Sequence, residues 1–86
     1  MINIIFEYTN KNYVFQIKKN LITWNKLFDF INNKLQITRN NIRFSINGML
    51  FYGNKSLQPF NYNSFVQKNT KGDFIIIKVS VIPNFS

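Results

Sequence analysis

The side chains that carry out proton transfer, nucleophilic attack or metal binding are scarce in this chain. It has no His and no Cys, and its only acids are Glu7, Asp29 and Asp73. Without Cys there is neither a disulfide nor a thiolate metal site. With so few acids, a carboxylate pair or a His-based general base is hard to assemble. Asp29 and Asp73 have no partner at a metal-binding spacing. The residue inventory therefore predicts no enzyme, no cofactor, no metal and no small-molecule substrate.

The cations offer another kind of chemistry. Lys and Arg number 11 against 3 acids, a net charge of +8, which by itself suggests nucleic acid or an anionic surface. Lys11, Lys18 and Lys19 flank the first predicted hairpin, and Arg39 and Arg43 lie near the exit of the predicted helix. These five could clamp phosphates; as scattered charges they read more simply as a solvated rim. Trp24, Phe28, Phe44, Phe60 and Phe65 could stack on bases, although their spacing fits a hydrophobic core better.

Composition weakens the case from charge. Asn (15), Ile (13), Phe (10) and Lys (9) dominate, while there are 3 Gly, 2 Pro, 2 Arg and no Ala. Ala is the best helix former, so its absence points to the base composition of the gene, not to folding. A strongly AT-rich gene also raises Lys over Asp and Glu without any functional demand. Such a composition resembles that of mitochondrion-encoded proteins of some protists.

These residues must be held by one small domain, because 86 residues leave no room for two cores. Apolar residues at 45% of the chain suffice for a packed interior. Residues 2–8 alternate, with Ile2, Ile4, Phe6 and Tyr8 on one face, and predict a strand. The Asn10-Lys11-Asn12 segment, tolerant of positive φ, predicts the turn into a second strand through Tyr13, Phe15 and Ile17. Thr23 is a predicted helix N-cap, followed by Trp24, Leu27, Phe28, Ile31 and Leu35 on one helical stripe that ends near Gln36. Ile42, Phe44 and Ile46 alternate as a third strand, Asn47-Gly48 turns the chain, and Leu50 and Phe51 form a short fourth strand. Leu57, Phe60, Tyr62 and Phe65 pin an irregular stretch on the core, and "KNTKGD" predicts a polar turn. The last strand carries Ile75, Ile77, Val79 and Val81 on one face and ends by Pro83. No apolar run reaches the roughly 18–20 residues of a membrane span, and the N-terminal segment "MINIIFEY" predicts a strand and no targeting leader.

The stretch "IRFSINGMLFYGNKSL" (42–57), with Thr23 opening the helix and Ile37 just after it, carries a resemblance. The order of hairpin, helix, short strand, turn, short strand, coil and long final strand over residues 1–82 resembles the ubiquitin-like family, with 83–86 as a short tail. The resemblance implies an α+β β-grasp fold, a mixed sheet with one main helix on one face, in which Gly48 takes the turn and Leu57 packs under the sheet. The alternative, a ferredoxin-like βαββαβ domain, needs a second helix that Pro59–Lys68 is too irregular to supply. Conjugating members of the family end in Gly-Gly, whereas this chain ends "VIPNFS", so the expectation is a non-conjugating domain. Family members also show readers an apolar patch on the open sheet face; Ser45 and Lys78 stand at patch positions here, so the usual readers are not expected to recognise it.

Alternation places Ile5, Val14, Ser45, Phe74, Ile76 and Lys78 on that open face. A large apolar patch is seldom left wet, which makes it a candidate protein-docking face, although AT bias also puts Ile and Phe wherever they are tolerated. The leading expectation is a non-catalytic accessory subunit of a large mitochondrial assembly, docked on other protein subunits. A respiratory-chain complex, with the domain on the matrix side and peripheral to the inner membrane, is favoured over a mitochondrial ribosome contacted through rRNA. A free ubiquitin-like adaptor is the third reading.

Overall fold

Strict alternation of apolar and polar side chains builds β1 (Ile2–Tyr8) and β2 (Lys11–Ile17), which pair antiparallel from Ile2 opposite Ile17 to Tyr8 opposite Lys11. The structure, a computed structural model, describes residues 1–53 and 59–83. After this hairpin come α1 (Trp24–Leu35), β3 (Ile42–Ile46), β4 (Met49–Tyr52), the single turn α2 (Tyr62–Phe65), β5 (Gln67–Asn69) and β6 (Gly72–Val81). The strands form one mixed six-stranded sheet in the order β2-β1-β6-β3-β4, with β5 beside the first residues of β6. The central pair, β1 and β6, is parallel, and every other pair is antiparallel. β2 and β3 therefore run in the same direction on opposite sides of that pair, and parallel strands need a long crossover. The segment containing α1 supplies it, giving a small α+β domain.

Helix α1 begins where expected. The Thr23 hydroxyl accepts the Lys26 amide at 3.1 Å, satisfying one of the first-turn donors. The helix ends at Gln36, whose φ of 57° is left-handed and whose amide donates to the Asn32 carbonyl at 2.9 Å. The Asn32 side-chain amide then donates to the Ile37 carbonyl and holds the exit. Trp24, Leu27, Phe28 and Ile31 bury the expected stripe, with Leu35 half-buried at its end.

Aromatic contacts organise the interior. Phe28 lies flat on Phe44 of β3, with ring centres 4.0 Å apart. Trp24 stacks on Phe51 of β4 at 4.3 Å, meets Phe60 edge-on at 4.7 Å, and donates its indole N–H to the Pro59 carbonyl at 3.2 Å. Trp24, Phe28, Phe44 and Phe65 are buried and Phe60 is half-buried against them, so these rings are core and not a base-stacking platform. Phe30, unplaced by the sequence, stacks on Phe6 at 5.3 Å and Phe15 at 4.8 Å and closes the side of the core toward β2.

Three local expectations differ from the structure. In the first hairpin the left-handed residue is Thr9 (φ 52°), while Lys11 and Asn12 already belong to β2. The pairing of Tyr8 with Lys11 leaves only Thr9 and Asn10 for the turn. The polar "KNTKGD" turn is shorter than expected, because Gln67–Asn69 pairs with β6 as a strand; its polar side chains hid it from a pattern search. The coil before it contains the helical turn α2, too short to be the second helix of a ferredoxin-like domain. At Asn47-Gly48 the turn is as expected, with φ of 52° and 82°, the pair of left-handed residues of a tight hairpin. Leu57, expected under the sheet, lies outside the described residues, as do residues 84–86 of the tail.

Candidate docking face

Each strand has an inner row under α1 and an outer row on the opposite face. Cross-strand register shows which outer residues are neighbours. Val14 of β2 lies opposite Ile5 of β1, and Ile5 opposite Ile76 of β6, so three branched apolar side chains form one line across three strands. Phe74 stands one step along β6, opposite Asn3 and Gln67. One step the other way, Lys78 lies opposite Glu7 on one side and Ser45 on the other. Of the expected face, Val14 is 55% exposed, Lys78 is exposed, and Ile5, Ser45, Phe74 and Ile76 are partly covered by their neighbours. The structure thus brings Ile5, Val14, Phe74, Ile76 and Lys78 together on one surface.

The face extends further than alternation suggested. Leu50 lies opposite Ser45 and Tyr52 opposite Arg43, which puts both on the same outer surface, 50% and 38% exposed. Counting outward from the Asn47-Gly48 turn would have found them, because a tight two-residue turn fixes the register of its strands.

β6 changes partner along one of its sides. It pairs with β5 through Phe74 and with β3 from Lys78 onward, so the strand between them has β1 alone beside it. A shallow depression lies at this gap, lined by Ser45, Asn47, Gly48, Gln67, Ile76 and Lys78. A second, lined by Asn3, Ile5, Asn69, Lys71, Gly72 and Phe74, lies where β5 turns into β6. Each is lined by one lysine, by polar side chains and by apolar residues of the face, Ile76 in the first and Ile5 with Phe74 in the second. No family model and no curated protein matches this sequence. The geometry of the face therefore carries the functional reading.

The acids are used individually. Asp29 on α1 is ion-paired with Arg39, which also donates to the Asn25 side chain. Asp73 accepts the Tyr62 hydroxyl at 2.8 Å. Burial, and then the hydrogen bond to Asp73 and its charge, push the Tyr62 phenol up to about 12. Among the described residues no cluster of acids could hold a metal ion.

The five candidate phosphate contacts are not gathered into one clamp. Lys11 begins β2 and Lys18 follows its end, about 23 Å away along an extended strand. Lys19 is close to Lys18 in sequence, but its ammonium rests over the Tyr62 ring, 4.8 Å from the centre. Arg39 is tied to α1 through Asp29. Arg43 projects from the outer row of β3, opposite Ser80 and Tyr52, and its Nε is a buried donor without an acceptor among the described residues. No helix among the described residues is long and apolar enough to cross a membrane.

Proposed function

We propose that this chain is a ubiquitin-like β-grasp domain that performs no chemistry and acts as an accessory subunit, docking its open sheet face on neighbouring proteins of a large mitochondrial assembly. The order of its elements and the helix packed on one face of a mixed sheet support the β-grasp reading. The observation that carries the docking reading is the line Val14–Ile5–Ile76 on the face away from α1, with Leu50 and Tyr52 on the same face beyond Ser45 and Arg43. Apolar side chains gathered on an uncovered sheet face, exposed at Val14 and partly so at Ile5 and Ile76, are a feature of interaction sites. The separate engagements of Asp29 and Asp73 support a role without catalysis. The AT-rich residue bias supports a mitochondrial gene, and a respiratory-chain complex, with the domain on the matrix side of the inner membrane, is the assembly proposed.

The net charge of +8 favours a second reading, a mitochondrial ribosomal protein on rRNA. Native-gel fractionation of mitochondria with mass spectrometry of each band separates the two. Migration with respiratory subunits, and retention when salt is raised, is expected. Migration with rRNA-containing particles and steep release by salt would replace the first reading by the second. Recovery only as a free monomer in the cytosol would exclude both and leave the adaptor reading.

A further inference from the structure

The docking surface carries a charge pattern that selects its partner. Lys71 rims the depression beside Ile5 and Phe74, and Lys78 rims the one beside Ile76. Arg43 adds a third cation on the outer row of β3, and Glu7, opposite Lys78, is the acid on this surface. Lys71 and Lys78 are exposed, and neither has an ion pair among the described residues. The other two acids are removed from the face, Asp29 to α1 and Asp73 to Tyr62. The surface is thus apolar at its centre and net positive at its ends.

We infer that the open face takes an extended acidic segment of a partner protein, with apolar side chains over Ile5 and Ile76 and a carboxylate at each end, one beside Lys71 and one beside Lys78. This rests on the docking reading and specifies the chemistry of what docks. Gly72 to Lys78 is six steps of β6, about 20 Å at the rise of a strand. Two carboxylates about six residues apart in an extended chain match that span. Polar groups of Ser45, Asn47 and Gln67 line the depression at Lys78, where a carboxylate can accept hydrogen bonds. The apolar centre gives contact area, and the flanking charges give register and exclude basic partners. A polynucleotide could meet the same lysines and stack a base on Phe74, but the centre of the face, Val14, Ile5 and Ile76, is aliphatic and gives no run of rings for successive bases.

The probes are three heptapeptides with capped termini: Asp-Ser-Ile-Ser-Ile-Ser-Asp, in which an extended chain puts both Asp and both Ile on one face, the same peptide with Asn at both ends, and the same with Lys at both ends. Binding to the full chain is followed through the amide resonances of Ile5, Ile76, Lys71 and Lys78. The acidic peptide is expected to shift these four and to bind at least tenfold tighter than the Asn-ended one. In Lys71→Glu/Lys78→Glu, at two exposed positions, the preference is expected to reverse toward the Lys-ended peptide while the remaining amide spectrum is kept. Equal binding of all three peptides at the face would overturn the charge assignment and leave the docking reading standing. Binding of the acidic peptide elsewhere, or of none of them, overturns the inference, and an oligouridylate that shifts the same resonances in preference to the acidic peptide would give the face to nucleic acid instead. Failure of the docking reading itself registers separately, as undiminished assembly of chains with a carboxylate on the apolar line.

Discussion

Ile4, Ile75 and Ile77 reach under α1 and lose all contact with solvent, whereas Ile5 and Ile76, their neighbours in the same strands, lie on the face that α1 leaves uncovered. The residue types are the same on the two faces, but their surroundings differ. Inside, isoleucines meet Phe6, Phe28 and Phe44 in one continuous cluster. Outside, they meet one another, Val14, and a rim of Asn, Gln, Ser and Lys side chains. A base-composition bias can supply isoleucine to both faces, so abundance alone does not identify a docking surface. What distinguishes the outer face is that α1 leaves its aligned apolar side chains uncovered and that cations stand at its edges.

The largest expected effect belongs to the inner face. Phe44→Ala removes a fully buried ring stacked on Phe28 and is expected to cost about 3–5 kcal/mol in urea unfolding. Ile76→Ala, on the outer face, is expected to cost about 1 kcal/mol. Equal losses at the two sites would show that the faces are not energetically distinct. Gly53→Ala tests a close approach at the margin of the inner layer: a Cβ at Gly53 would overlap the Arg39 carbonyl, which joins the end of β4 to the turn before β3. That overpacking is expected to cost about 2 kcal/mol by the same measurement. Thr23→Ala, which removes the cap of α1, is expected to cost about 1 kcal/mol.

An effect of similar size is a pH dependence. The Tyr62 phenol has a raised pKa in the folded chain, so its contribution to stability is complete below the unfolded value of 10.0 and is lost as pH rises toward about 12. Tyr62→Phe is expected to flatten that part of the stability profile and to cost about 1 kcal/mol at neutral pH through the lost bond to Asp73. Parallel profiles for the two chains between those pH values would show that folding does not raise the Tyr62 phenol, and equal stability at neutral pH would show that its bond to Asp73 contributes nothing.

The sequence made the inner face legible because burial leaves periodic signals. The period of two in β1, β3 and β6, the helical stripe from Trp24, the Thr23 cap and the Asn47-Gly48 turn each report a strong local constraint. Phe30 was missed because it lies off the main stripe and is buried by Phe15 of the neighbouring hairpin, a contact that periodicity within α1 does not contain. β5 was missed because its exposed Gln-Lys-Asn side chains look like a turn, and only backbone pairing to β6 makes it a strand. On the outer face, alternation found Ile5, Val14, Phe74, Ile76 and Lys78 but not Leu50 or Tyr52, whose place depends on register across a hairpin. The basic residues were legible as charges and not as a site: the predicted second strand already sets Lys11 and Lys18 at its two ends, and where Lys19, Arg39 and Arg43 stand relative to them depends on packing that no local pattern contains.

Whether the outer face is a docking surface is settled by assembly. Ile76→Asp puts a carboxylate on the apolar line at its β6 end, and Val14→Asp does the same at the more exposed β2 end, where folding is least perturbed. Each chain, once shown to unfold cooperatively like the parent, is expressed in mitochondria and followed by native gel into high-mass bands. Both are expected to remain folded and to be lost from the assembly, Ile76→Asp the more completely. Incorporation of both folded variants at the parent level would contradict the docking role of the face.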